Sequence, residues 1–191
     1  AIQGLVCSLM MYVCDQLIEL QENLRSLKYS PETETEMREK FKQIVKKHVR
    51  LIEYSKEMDK IFQQFFIVQN LAVTVEMCLN AMMVTLVGLR EKYLLVNFLA
   101  CLGMALLNAY IYCYLGNELI IQSVGISVSA YETAWTSWPI DMQKNLLLVI
   151  RQAQKPISLS AGGIATMSIE TYCQALYNGY SIFAVLYDAV N

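Results

Sequence analysis

The sequence predicts an all-α fold: a polytopic bundle of transmembrane helices, extended into a cytoplasmic anchor region. Three observations carry that prediction. Tyr93 to Leu115 runs 23 residues without a charged side chain. Two more apolar stretches, Phe65 to Leu89 and Thr171 to Tyr187, lie on either side of it. The 191 residues are 55% hydrophobic and only 17% charged, an unusual balance for a soluble domain. A bilayer core of about 30 Å needs roughly 20 helical residues at about 1.5 Å each, which the first two stretches supply outright and the third supplies with its flanks.

The elements follow in chain order as one membrane domain over residues 1–191. Ile2 to Cys14 is apolar but too short to cross alone, so residues 1–14 are expected to be the end of a span begun upstream, in the C-terminal part of a longer protein. Residues 15–60 hold ten of the 15 Lys and Arg, the turn Arg90 to Lys92 holds two and 116–170 holds three. Positive-inside counting makes 15–60 and 116–165 cytoplasmic and places the C-terminus outside the cell. Within the first of these regions, Ser30-Pro31-Glu32 has the composition of a helix start, with a capping hydroxyl, a proline in the first turn and an acid against the dipole. Met37, Phe41, Ile44, His48, Leu51, Ser55, Met58, Phe62 and Phe65 then recur at three-to-four spacing, so an amphipathic helix runs straight into the span at 61–89. From residue 30 to residue 89 that is about 90 Å of helix, far more than a bilayer needs. The next span is 93–115. A helix at 140–154 follows, opened by Pro139, carrying Met142, Leu146, Val149, Ile150 and Ala153 on one face and stopped by Pro156. The last span is 166–190.

Polar residues inside the spans carry the functional information. Gln69, Glu76 and Asn80 share a face of the first full span, and Asn97, Cys101, Met104 and Asn108 share a face of the second. A carboxylate at mid-membrane costs about 2.5 to 3.5 kcal/mol on insertion scales, so Glu76 is expected to point into the bundle, either at a ligand or at a neighbouring helix. On the last span Thr171, Gln174, Asn178, Ser181, Val185 and Asp188 follow at spacings of three and four, opposite an aromatic stripe of Tyr172, Leu176, Tyr180, Phe183 and Tyr187. Either the polar stripe packs on polar groups of the same chain, or copies of the helix surround a common axis and line a pore.

Catalysis finds no support. The six cysteines lie in apolar segments without a CxxC pair, which argues against a disulfide framework or a zinc site. His48 is the one histidine, so there is no Ser-His-Asp, Cys-His or HExxH arrangement, and no cofactor, metal or nucleic-acid partner is expected. Gly162-Gly163 lacks phosphate-loop spacing and reads as a hinge between the cytoplasmic helix and the final span. A secondary transporter would also bury polar groups in the membrane, but would be expected to break its helices there, and the spans contain no proline. A membrane scaffold without transport would leave the polar stripe unexplained.

One series of motifs is more specific. It comprises Tyr112-Cys113-Tyr114-Leu115-Gly116-Asn117-Glu118, Ala130-Tyr131 with Trp135, the run from Gln154-Lys155-Pro156 to Gly162-Gly163, then Met167 to Tyr172, and Tyr180 to Leu186. In this order and spacing, over about 75 residues, it resembles the C-terminal half of an insect odorant receptor, an odorant-tuning subunit rather than the shared co-receptor. Related gustatory receptors end their last helix on a Thr-Tyr-x5-Gln-Phe pattern. Here Thr171-Tyr172 occurs but Asn178 and Gly179 follow, which favours the odorant class over the gustatory one.

The resemblance implies a seven-helix subunit of the sensory-neuron plasma membrane, forming a heterotetrameric, odorant-gated, non-selective cation channel with the odorant co-receptor. The ligand would be a small, volatile, hydrophobic odorant or pheromone. Residues 1–14 would end the fourth span, 61–89 and 93–115 would be the fifth and sixth, and the seventh helix would be split into 140–154 and the pore half 166–190. The pore would be lined by Gln174, Asn178, Ser181, Val185, Asp188 and Ala189, with Val185 and Ala189 at the constriction; Ala189 is smaller than the co-receptor's residue there. The outer part of the bundle would contribute Asn80, Met83, Val87, Tyr93, Asn97 and Cys101 to an odorant pocket. Assembly would use Met142, Leu146, Val149, Ile150, Ala153 and Pro156.

Overall fold

A computed structural model of the chain describes residues 2–87, 92–163 and 165–177. Helices dominate, as the periodicity predicts: α1 (Ile2–Arg25), α2 (Glu34–Val87), α3 (Lys92–Tyr131), α4 (Ile140–Ala153) and the turns of α5 over residues 169–177. Short 3-10 turns at Pro31–Thr33 and Trp135–Ser137 precede α2 and α4. Contacts divide the chain into two units, residues 1–60 with 115–159, and residues 61–114 with 160–191.

In the first unit, α1 presents Val6, Met10, Val13, Leu17, Leu20 and Leu24 at helical spacing, each with no exposed surface. The amphipathic half of α2 buries Met37, Phe41, Ile44, Leu51 and Met58, together with His48 and Ser55. The Ser55 hydroxyl bonds back to the Leu51 carbonyl at 2.7 Å, so a buried polar side chain is satisfied within its own helix. Phe41 meets the edge of Trp138 with ring centroids 5.9 Å apart, tying α2 to the segment that leads into α4.

The start of α2 departs from the sequence expectation in its chemistry. Ser30 does precede the helix in an extended conformation, and Pro31 opens the first turn. Its hydroxyl makes no cap bond to the backbone and instead faces the Thr33 hydroxyl at 3.0 Å, while the Ser30 carbonyl receives the Thr33 N–H at 3.1 Å. The turn is closed by the backbone because a 3-10 turn intervenes before α2.

α3 also runs further than its charge-free stretch. It continues through Glu118 to Tyr131 as one 40-residue helix, because Leu119, Ile126 and Ala130 keep an apolar stripe fully buried beyond the first acid. A buried polar knot pins this extension to α1. Gln21 Nε2 donates to the Gln122 carbonyl and to Gln122 Oε1, both at 3.0 Å, and Gln21 Oε1 accepts from the Ser129 hydroxyl at 3.3 Å. Gly125 lets the Gln21 amide lie against the backbone: a Cβ there would come within 2.9 Å of Nε2 and 3.0 Å of Oε1. The Gln21 amide is held by three hydrogen bonds and cannot move aside without losing them. Gly125→Ala is therefore expected to destabilise this unit by about 1–3 kcal/mol, read as a lower midpoint in tryptophan-monitored thermal unfolding in detergent. An unchanged midpoint would mean that the knot yields freely.

Among its described residues the second unit is largely apolar and leaves much of its side-chain surface exposed. α3 contains the stretch Val96–Tyr131, long and apolar enough by length and composition to cross a bilayer, and only 11% of its most apolar window is buried. Leu99, Met104 and Leu107 each expose more than half of their surface, which suits contact with lipid rather than water. Phe66 is the anchor on the other side: it is 2% exposed and packs edge-on against Tyr112 at 5.4 Å. Phe65, which the sequence periodicity put on the buried stripe, is half-buried beside it.

Gly162 and Gly163 close a turn between two paired strands. β1 (Ser160–Ala161) and β2 (Ala165–Thr166) run antiparallel with Ser160 opposite Thr166, and both glycines have positive φ, 66° and 71°. Consecutive left-handed residues are strained for any side chain, so glycine is required here. The expected hinge is a closed hairpin.

Candidate functional site

Two regions can act: the outward side of α4, and the beginning of the final helix. Pro139 is the N-cap of α4, at φ −56° and ψ 144°, with its carbonyl accepting the Gln143 N–H at 3.0 Å, and the helix ends at Ala153, three residues before Pro156. Arg38 on α2 fixes the helix start. It donates from Nη1 to Asp141 Oδ2 at 2.5 Å and from Nη2 to Asp141 Oδ1 at 3.2 Å, and it also pairs with Glu34 one turn back. This two-pronged bond holds the Asp141 carboxyl below the usual carboxylate range and raises the Arg38 guanidinium further. Lys47 and Glu19 join α2 to α1 at 2.7 Å, and Arg25 joins Glu132 at 2.9 Å.

Met142, Leu146, Val149 and Ala153 lie inside the first unit, at 2–6% exposure, Ile150 is half-buried and Pro156 is exposed. The residues expected to meet another subunit are thus largely occupied by this chain's own core. The side of α4 left open carries Ile140, Leu147 and Leu148, which expose 72%, 65% and 63% of their surface. Helical periodicity marked the opposite face of α4 and so passed over them. Leu148 also lines a groove of about 490 Å³ between α2 and α4, floored by Phe41 and Met142 and rimmed by Lys42 and Lys46.

His48 lines the same groove and is 4% exposed; burial lowers its pKa below the ordinary 6.5. The native state thus prefers neutral imidazole. As pH falls through the ordinary imidazole range the unfolded chain takes up the proton first, and the fold loses stability. From roughly pH 7.5 to roughly 5.5, thermal midpoints should fall further for the native chain than for His48→Gln. Equal slopes would show that His48 does not titrate differently on folding.

The residues matched to an odorant pocket are only partly described. The side chains of Glu76, Asn80, Met83 and Val87 lie outside the described residues. Tyr93 is 91% exposed, Asn97 is exposed, and Cys101 is half-buried with its thiol 4.0 Å from the Asn97 side-chain oxygen. Asn97 and Cys101 therefore do share a face. Of the pore stripe, Gln174 is described and exposed on α5, whereas Asn178, Ser181, Val185, Asp188 and Ala189 lie outside the described residues.

The start of α5 is well defined. The Ser168 hydroxyl accepts the Thr171 N–H at 3.2 Å and faces the Thr171 hydroxyl at 3.1 Å, a side-chain N-cap. One residue on, the Tyr172 hydroxyl donates to the Leu106 carbonyl of α3 at 3.4 Å, and its ring meets Tyr110 edge-on at 5.8 Å. Among the described residues no group of His, Cys, Asp and Glu is arranged to hold a metal.

An all-helical fold with one described helix long and apolar enough to cross a bilayer fits a helical membrane protein. The family model described as the seven-transmembrane odorant receptor matches residues 1–180, and the chain belongs to that family. It is 25% identical over 148 residues to odorant receptor 10 of Aedes albopictus, covering 78% of this chain and 39% of that protein. It is 24% identical over 171 residues to odorant receptor 49a of Drosophila melanogaster, covering 90% and 43%. To odorant receptor 30a of Drosophila melanogaster it is 34% identical over 88 residues, covering 46% and 23%. The fold is that of the insect olfactory receptor OR5 from Machilis hrabei, solved in complex with eugenol. The TM-score is 0.81 at 18% identity, over 97% of this chain and 46% of the other. The chain thus spans less than half the length of these relatives. Its family is one of receptors, not of enzymes.

Proposed function

We propose that this chain is part of an odorant-tuning subunit, which assembles with the odorant co-receptor into a heterotetrameric, odorant-gated, non-selective cation channel of the plasma membrane. The observation that carries the reading is the family match over residues 1–180, supported by a shared fold along 97% of the chain. The ligand proposed is a small, volatile, hydrophobic molecule; eugenol, bound by the Machilis receptor, has that character. The charged first unit is assigned to the cytoplasm, with ten Lys and Arg between residues 15 and 60. There the open side of α4, with Leu147 and Leu148, offers apolar surface to a neighbouring subunit. The final helix is assigned to the conduction path, with Gln174, Asn178, Ser181 and Asp188 as its polar stripe and Val185 and Ala189 at its narrow part.

The test is whole-cell recording from cells expressing the full-length protein, with and without the co-receptor, against a panel of volatile esters, alcohols and phenols. Odorant-evoked cation current only with both proteins supports the reading. Surface-expressed complexes silent to every volatile on a broad panel count against it. The proposed topology has its own check: an epitope tag after Asn191 is expected to label on intact cells, and labelling only after permeabilisation would reverse it.

A further inference from the structure

The final helix begins at a point fixed from three sides. Upstream is the β1–β2 hairpin, whose turn is further closed by the Gly163 N–H donating to the Ser160 hydroxyl at 3.2 Å. Gly162 lies against α2: a Cβ there would overlap Ile67 Cδ1 and come within 2.7 Å of Ile67 Cγ1. Next comes the Ser168 cap, which sets the helix's first residue. Then Tyr172 reaches α3, where its hydroxyl finds the second lone pair of a helical carbonyl at Leu106 and its ring lies against Tyr110. In apolar surroundings a phenol without a partner is costly, which favours keeping this bond. We propose that Tyr172 and the Gly162-Gly163 hairpin are positioning elements that clamp the start of the final helix to α2 and α3, so that this helix start moves only with those helices.

The clamp stands on this geometry alone; its consequence for gating rests on the channel reading above. With the helix start held, displacement of α2 or α3 is passed to the final helix instead of being absorbed in a loose linker. Tyr172→Phe removes one hydrogen bond and keeps the ring. Gly162→Ala acts at the other contact, by strain at positive φ and by displacing Ile67.

The experiment is hydrogen exchange of the full-length protein in lipid nanodiscs, read by mass spectrometry. Tyr172→Phe and Gly162→Ala are each expected to exchange roughly three- to tenfold faster over residues 171–177, as loss of one local bond implies, with α4 unchanged. Native-like exchange in both variants, or acceleration spread equally over α4, overturns the clamp. In parallel, odorant-free cation current is measured with the co-receptor present, as the holding current lost when sodium is replaced by a large organic cation. An increase in both variants joins the clamp to gating. Faster exchange without any change in current upholds the clamp and separates it from gating, so the two readings fail separately.

Discussion

Leu146→Asp is expected to unfold the first unit, whereas Leu148→Asp is expected to leave it folded and to abolish co-purification with the co-receptor. Leu146 is 2% exposed, between α4 and the body of its own unit. A carboxylate there has no partner, and the loss of a buried leucine adds to its desolvation, so a cost of about 4 kcal/mol or more is expected. Measured stabilities of domains are of that order, and the variant should be recovered in low yield or as aggregate. Leu148 is 63% exposed, so the same substitution should change stability by no more than about 0.5 kcal/mol. In an assembly its carboxylate would put a charge that must be desolvated where a leucine gave apolar contact to the neighbouring subunit. Detergent-solubilised Leu148→Asp with a native thermal midpoint and full recovery of the complex would show that subunits meet elsewhere.

The largest effect on current is expected at Val185. If the final helix lines the pore, a valine between Ser181 and Asp188 forms an apolar ring that stops hydrated ions by dewetting, and Val185→Ser should raise odorant-free current several-fold. Asp188→Lys should do the reverse, replacing an attraction for cations near the outer mouth with repulsion and lowering cation conductance. Cysteines placed along the helix separate this from a packing role. Reagent block should peak at positions 178, 181, 185 and 188 and be weak at 176, 180 and 183. Block on the aromatic side instead would mean that the polar stripe packs against protein.

These residues differ in how much of their role the sequence could reveal. Periodicity located α2 and its buried stripe because a long amphipathic helix repeats its signal many times, and prolines at 139 and 156 bracketed α4, which runs from Ile140 to Ala153. In α4 periodicity found the right face, since Met142, Leu146, Val149 and Ala153 are all buried, but it could not say what covers that face: the chain's own first unit does, and Leu147 and Leu148 stay outside. The end of the charge-free stretch at Leu115 hid the continuation of α3, since one glutamate does not stop a helix whose buried stripe persists.

Contacts distant in sequence were invisible for a different reason. Gln21 and Gln122 are 101 residues apart, and Tyr172 and Leu106 are 66 apart. No local pattern pairs a glutamine or a tyrosine with a carbonyl on another helix. The hairpin at Ser160 to Thr166 is made of two-residue strands, too short for alternation to register, so its two glycines read as freedom when their positive φ in fact closes a turn. The family-level motifs around Tyr112 to Glu118 and Gln154 to Gly163 supplied what periodicity could not, and the match over residues 1–180 agrees with them.

The central claim is that odorant binding opens the protein itself. Its most direct test is recording from excised membrane patches containing the full-length protein and the co-receptor, bathed in nucleotide-free solution, with an odorant found active in whole cells applied to the outer face. Unitary, non-selective cation openings that begin on application and cease on removal are the expected result. Whole-cell responses that vanish on excision and return only when nucleotides are supplied would contradict the account, because the receptor would then be signalling to a separate channel.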